Sequence, residues 1–176
     1  MKDILDIPRT AMEVFELLPE GTACEVIDNT LYMSPSPTTN HQEILGNIFA
    51  EIHYHIKHRN LGKAFMAPCD VYLNNGQNVV QPDILFIKKD RGNIIQTKGV
   101  YGSPDLIIEI LSTNKIHDQE RKLELYRQNL VPEYVIIDPE TKQVWHYILI
   151  GGKYSEKIGS DHKSLNLEQL DLVLSF

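Results

Sequence analysis

The chain has 176 residues, 42% of them hydrophobic, which suits a single globular domain over residues 1–176 with a substantial buried core. With 17 Lys and Arg against 24 Asp and Glu, the net charge of −7 argues against broad, sequence-blind adhesion to nucleic acid, though not against a local basic cleft or an acidic one screened by metal ions. No run reaches the roughly 18 apolar residues of a membrane helix, Asp3 and Asp6 stand where a signal peptide would be basic, and Cys24 and Cys69 lack CxxC spacing, so a cytoplasmic protein with no membrane attachment, disulfide framework or zinc ribbon is expected.

Thr10 and Glu13 have the S/T-x-x-E form of a capping box, and Val14, Phe15, Leu17 and Leu18 follow at helical spacing, which predicts a short helix over 10–18. Residues 23–27 and 30–33 read as strands of a hairpin turned by Asp28 and Asn29. The SPSPTT run at 34–39 is a connection, because its prolines disfavour helix and its hydroxyl residues favour caps. Over 40–60, Leu45, Ile48, Phe49, Ile52 and Ile56 recur at three- and four-residue steps, giving a long amphipathic helix that Gly62 is expected to end. His53, His55 and His58 invite a metal reading, but positions 53 and 55 point to nearly opposite sides of a helix, so a solvated face is expected. Residues 63–73 read as a strand region interrupted by Pro68, and Asn74, Asn75 and Gly76 as a turn.

From Val79 to Leu111, two apolar runs, VVQPDILFI and PDLIIEIL, each carry a carboxylate inside. Period-two alternation sets Val79, Gln81, Asp83, Leu85 and Ile87 against Val80, Ile84 and Phe86, placing Asp83 mid-strand. It likewise sets Asp105, Ile107, Glu109 and Leu111 against Leu106, Ile108 and Ile110. Strands apolar on both faces are covered on both sides, where a lone charge costs at least several kcal/mol and normally finds a partner, stays protonated or binds a metal. Two such carboxylates on neighbouring strands suggest a shared cation. The connection 88–104 exceeds the roughly 2 to 5 residues of a hairpin loop and reads as a loop that gates a site or merely wanders.

Ser112 or Thr113 caps a predicted helix to about 129, with Ile116, Leu123, Tyr126 and Leu130 as its inner stripe. A buried strand at 133–138 turns at 139–142 into an antiparallel partner at 143–150, and Gly151 and Gly152 turn again into 153–158. The tail 165–176 is apolar enough to dock, as helix or irregular structure. This order implies an α/β or α+β fold with a mixed central sheet flanked by helices, the strands at 105–111 and 133–138 being parallel through a right-handed crossover.

Asp83 in its PD pair, Glu109 in IIEIL and basic residues on the following helix resemble the PD-(D/E)xK nuclease pattern. More closely, the chain resembles the Uma2 family: CEVIDNTLYMSPSP followed by His41, then VVQPDILFI, PDLIIEILS, DQERKLELY and VPEYVIIDP run in one order nearly end to end. The resemblance implies a restriction-endonuclease-like core, a Mg²⁺ or Mn²⁺ cofactor, and hydrolysis of DNA phosphodiester bonds by metal-activated water, in a homodimer or higher homo-oligomer. Asp83 and Glu109 are then catalytic metal ligands, with the Ile110 carbonyl as a third. The pattern's lysine belongs two residues after the glutamate, where this chain has Leu111; Lys122 on the next helix is the implied replacement, helping to form hydroxide or stabilising the charged transition state.

Plainer readings stand beside these. Pro82 and Asp83 suit a strand edge or bulge, Glu109 suits a pair with an Arg or Lys of the helix, and Lys122 suits an i,i+4 pair with Asp118. Asp105 and Asp138, at strand ends, suit turns and caps. His41 either supports a ligand or phosphate or simply caps its helix, and Gln81 orients water or nucleic acid or makes a strand-face hydrogen bond. Glu25 belongs to the CEVID motif without a role assigned by its type. For the whole protein, the alternatives are a nuclease fold kept for binding nucleic acid or a protein partner, and a hydrolase acting on another phosphate ester.

Overall fold

A computed structural model describes residues 7–112, 116–157 and 164–175, with side chains at all of these except 116–119 and 157. Helix α1 (Ala11–Leu17) precedes the hairpin of β1 (Cys24–Ile27) and β2 (Thr30–Met33) and helix α2 (Thr39–Arg59). Strands β3 (Gly62–Met66), β4 (Val71–Leu73), β5 (Asn78–Val80), β6 (Ile84–Lys88), β7 (Ile95–Gln96), β8 (Gly99–Tyr101) and β9 (Leu106–Ile110) lead to helix α3 (Ile116–Gln128). Strands β10 (Glu133–Ile137), β11 (Val144–Ile150), β12 (Lys153–Lys157), β13 (Ser164–Leu167) and β14 (Leu172–Ser175) complete the chain.

The central sheet is mixed and runs β12-β11-β10-β9-β6-β3. Its β9–β10 pair is parallel, as the intervening helix requires, and its other pairs are antiparallel. The alternation read in LIIEI sorts its residues to the two faces. Leu106, Ile108 and Ile110 pack with Leu45, Ile48, Ile52 and Ile56 of α2, while Ile107 joins Leu125 and Tyr126 of α3. A second sheet, β2-β1-β5-β4-β8-β7, lies on the α3 side, where Ile27, Val71, Val80 and Val100 share a core with Leu85, Ile87 and Ile107.

That second sheet corrects the reading of VVQPDILFI as one strand. Pro82 has no N–H to give a ladder, and the chain changes sheets there, β5 in the second and β6 in the central one. Asp83 therefore sits at the corner before β6, not mid-strand, and Val80 packs with Leu85 and Ile87 rather than opposite them. Residues 88–104 do not wander as a loop: a 3₁₀ segment, Lys89–Ile94, leads into β7 and β8, which extend the second sheet with β8 parallel to β4. Asp105 holds the base of this excursion. Its side chain is buried, with Oδ2 accepting from Lys88 N and Oδ1 from Arg91 Nη1, both at 2.8 Å. Asp105→Ala strands both donors, so urea unfolding should register a loss of about 2–3 kcal/mol with divalent-metal affinity unchanged; lost metal affinity in a folded variant would move Asp105 into the site.

Thr10 caps α1 as expected, its Oγ1 accepting from Glu13 N, and Asp28 and Asn29 both take positive φ in the β1–β2 turn. Helix α2 ends at Asn60 in the left-handed conformation, not at Gly62. Gly62 instead opens β3, where a Cβ would lie 2.0 Å from the Ile87 carbonyl oxygen, so the β3–β6 approach requires glycine. His53 and His58 are exposed as expected, but His55 is half-buried and donates to the Leu170 carbonyl. On α3, Leu130 is 60% exposed beyond the helix end, and Leu125 takes its place inside. Thr113 and the side chains of Ile116 and Asp118 lie outside the described residues.

The tail is a hairpin, β13–β14, rather than helix or irregular structure. Leu165, Leu167 and Leu174 face α2, and Glu133 anchors the turn by accepting from Glu168 N at 2.9 Å and Gln169 N at 2.7 Å, with His146 Nε2 on the same carboxylate. Among the described residues, no helix is long and apolar enough to cross a membrane.

Candidate functional site

Glu109 shares the β9 face that looks toward α3 and the second sheet. On α3, Lys122 and Tyr126 are four residues apart and so project from one side of the helix. Both reach the same oxygen, Glu109 Oε1, from Lys122 Nζ at 2.9 Å and Tyr126 OH at 2.9 Å. Lys122 Nζ also donates to Glu25 Oε1 of β1 at 2.8 Å, and that oxygen accepts the main-chain N–H of Gln81 at 2.9 Å. Lys122 and Glu25 are each 5% exposed, so the ammonium is a buried group between two carboxylates and not part of a solvated face. The reading of Glu109 as a carboxylate paired from the helix therefore holds as geometry.

The corner at Pro82 aims Asp83 at the end of β9. Its Oδ2 accepts from Ile110 N at 2.7 Å and lies 3.3 Å from His41 Nε2, which is 3.1 Å from the Ile110 carbonyl. A carbonyl only accepts, so His41 Nε2 carries a proton. His41 reaches this point from the first turn of α2, where Thr38 Oγ1 accepts its main-chain N–H. It is a helix-start residue aimed inward, and buried.

Two carboxylates here share one ammonium, and the charge of a third, Asp83, reaches Glu109. Burial pushes the Glu109 carboxyl up to about 7, the charges of Asp83 and Glu25 push the same way, and Lys122 opposes them. Burial and the neighbouring Glu109 charge hold the Tyr126 phenol well above its usual value. Among the described residues, no protein donor meets Asp83 Oδ1 or Glu109 Oε2. Those two oxygens and the Ile110 carbonyl are hard donors with excess negative charge, which fits Mg²⁺ or Mn²⁺. The described residues contain no ready-made cage of three or more His, Cys, Asp or Glu. Mg²⁺ needs none, since it usually takes one or two carboxylates and keeps several waters.

Asp83, Glu109, Lys122, Glu25 and His41 thus come together. Gln81 does so only through its backbone; its side-chain amide turns away to Asp70 Oδ1 at 2.8 Å and the Thr22 carbonyl at 3.2 Å. Asp138 is a turn residue, as expected: its Oδ1 accepts from Glu140 N and Thr141 N, and these bonds outweigh burial to hold its carboxyl below the ordinary range. Tyr126, read only as core, is in addition a donor to Glu109. Its spacing from Lys122 was the available signal. Asp70 carried none.

The family model described as "Uma2: Putative restriction endonuclease" matches residues 12–175. The chain belongs to the Uma2 family. Its Uma2-like segments all border this site: β1 brings Glu25, the Pro82 corner Asp83, β9 Glu109 and α3 Lys122, while β10 lies beside β9. The crystal structure of a "putative nuclease belonging to DUF820" from Anabaena variabilis ATCC 29413 is similar, with a TM-score of 0.77 over 96% of this chain and 95% of that one at 21% identity, a likeness of fold. No curated protein matches the chain. Family and fold together support a nuclease.

Proposed function

We propose that this Uma2 protein is a metal-dependent endonuclease that hydrolyses phosphodiester bonds in DNA, with Asp83 and Glu109 as metal ligands and Lys122 as the catalytic cation. The observation that carries the reading is the 2.9 Å contact between Lys122 Nζ and Glu109 Oε1, by which α3 supplies an ammonium to the glutamate although position 111 is leucine. Asp83, Glu109 and the Ile110 carbonyl would hold Mg²⁺ or Mn²⁺, which when bound neutralises phosphate charge and acidifies a water.

The chain's own groups do the positioning. Ile110 N fixes the Asp83 carboxylate, and Tyr126 and Lys122 fix Glu109 through one oxygen, leaving the other for a ligand. Glu25, itself held by Gln81 N, keeps Lys122 charged and aimed, so a fixed positive charge meets the anionic phosphorane-like transition state without reorganisation. His41 supports Asp83 with its Nε2–H. Cutting both strands of a duplex calls for two such sites, which goes with a homodimer or higher homo-oligomer acting in the cytoplasm.

Calorimetric titration with Mg²⁺ or Mn²⁺ tests the ligand assignment. Wild type should bind, and Asp83→Ala should lose at least roughly tenfold in affinity while its circular dichroism is unchanged. Supercoiled plasmid should be nicked by wild type only. A wild-type protein that binds no divalent ion, even with DNA present, would end the catalytic reading.

A further inference from the structure

A cleft of about 550 Å³ opens on the second sheet, and the chemistry proposed above leaves it unused. Its lining includes Phe15, Asp70, Tyr72, Gln81, Lys98 and Tyr101. Gln81 is common to cleft and site: its side chain lines the cleft, and its main-chain N–H donates to Glu25, one bond from Lys122.

Three aromatic rings form one wall. Tyr72 and Tyr101 stack with centroids 4.4 Å apart at 9°, and Phe15 meets Tyr72 edge-on at 6.5 Å. Tyr101 ends the stack. It is 38% exposed, so part of its side chain is open to another planar group. The polar end of the cleft is Asp70, whose Oδ1 accepts from Gln81 Nε2 while Oδ2 takes no hydrogen bond from the described residues. A carboxylate with a spare oxygen accepts from amino groups. Glu16 and Glu20 also line the cleft, and Lys98 is its basic residue, so a phosphate would be repelled from its interior while a neutral ring with an amino edge would not.

We infer that this cleft is a subsite for one unpaired nucleobase bearing an exposed amino group, which stacks on Tyr101 and donates to Asp70. The inference rests on the nuclease reading for the ligand being a DNA strand. A paired base cannot enter, because its faces are stacked and its amino edge is already bonded; the strand must be single or locally opened there.

Fluorescence anisotropy in EDTA, where metal-dependent turnover cannot interfere, tests the subsite with a short labelled oligodeoxycytidylate, an oligothymidylate of equal length and the corresponding duplex. Wild type should bind oligodeoxycytidylate at least roughly fivefold tighter than the other two. Tyr101→Ala should weaken that binding by roughly tenfold, Tyr101→Phe should retain it, and Asp70→Asn should level the two single strands. If Tyr101→Ala binds oligodeoxycytidylate like wild type, or the duplex binds equally well, the subsite is overturned. Plasmid nicking that persists beside such a result leaves the nuclease reading intact; Tyr101-dependent binding by a protein that never cuts keeps the subsite and removes the nuclease.

Discussion

Glu109→Gln is expected to raise the thermal midpoint of the protein at about pH 8 while abolishing its metal affinity and turnover. In the native protein the Glu109 carboxyl is pushed up to about 7 from an ordinary 4.5, chiefly by burial. Between those values the folded chain holds a proton that the unfolded chain has released, so stability falls as pH rises through the window and the loss is complete above about pH 7. The shift corresponds to a loss on the order of 3 kcal/mol, or roughly 6–12 °C in midpoint for a chain of this size. Glutamine keeps an oxygen for Lys122 Nζ and Tyr126 OH but never ionises, so the variant should lose this pH dependence and surpass wild type under alkaline conditions. Added Mg²⁺ should raise the wild-type midpoint and leave the variant's unchanged, and turnover should fall by at least roughly 10²–10³-fold. Scanning calorimetry from acid to alkaline pH reads all of this except turnover. A wild type that is as stable as the variant at alkaline pH would contradict the account of Glu109 as a destabilising buried charge.

Lys122→Met should act in the opposite direction on stability. Removing the ammonium leaves Glu25 and Glu109, both largely buried, facing each other without their shared cation, at a cost of about 3–5 kcal/mol under conditions where both are ionised. Turnover should drop by roughly 10²–10³-fold, while Asp83 and Glu109 continue to bind metal. The double variant Lys122→Met, Glu25→Gln separates the two roles of the lysine. With one of the two facing charges removed, urea unfolding should recover most of the lost stability, and plasmid nicking should stay at the single-variant level. Recovery of nicking together with stability would reduce Lys122 to a structural counter-ion.

Much of the site was legible because its signals are local. Strand alternation in LIIEI put Glu109 on the face opposite Leu106, Ile108 and Ile110, a turn at Asp28 and Asn29 paired β1 with β2, and the helical crossover made β9 and β10 parallel. Each of these follows from backbone period or turn chemistry within a few residues. Ordered Uma2 segments then named the residues that the fold brings together.

What the tertiary structure decided depends on partners far along the chain. Pro82 announces a break in a ladder, but that β5 and β6 then belong to different sheets, with Asp83 at the corner between them, is set by the strands each half pairs with. The helical stripe through Leu130 placed an apolar residue inward, yet Lys122 is buried and Leu130 exposed. A lysine tolerates burial only where carboxylates meet it, and those come from Glu109 on β9 and Glu25 on β1, 13 and 97 residues away. The C-terminal hairpin likewise depends on Glu133, which accepts the turn's N–H groups from 35 and 36 residues upstream. Local pattern determines which face of an element is apolar; only the packed fold determines which charges it can keep inside, because the energy of a buried charge belongs to its partners and not to its own position in the sequence.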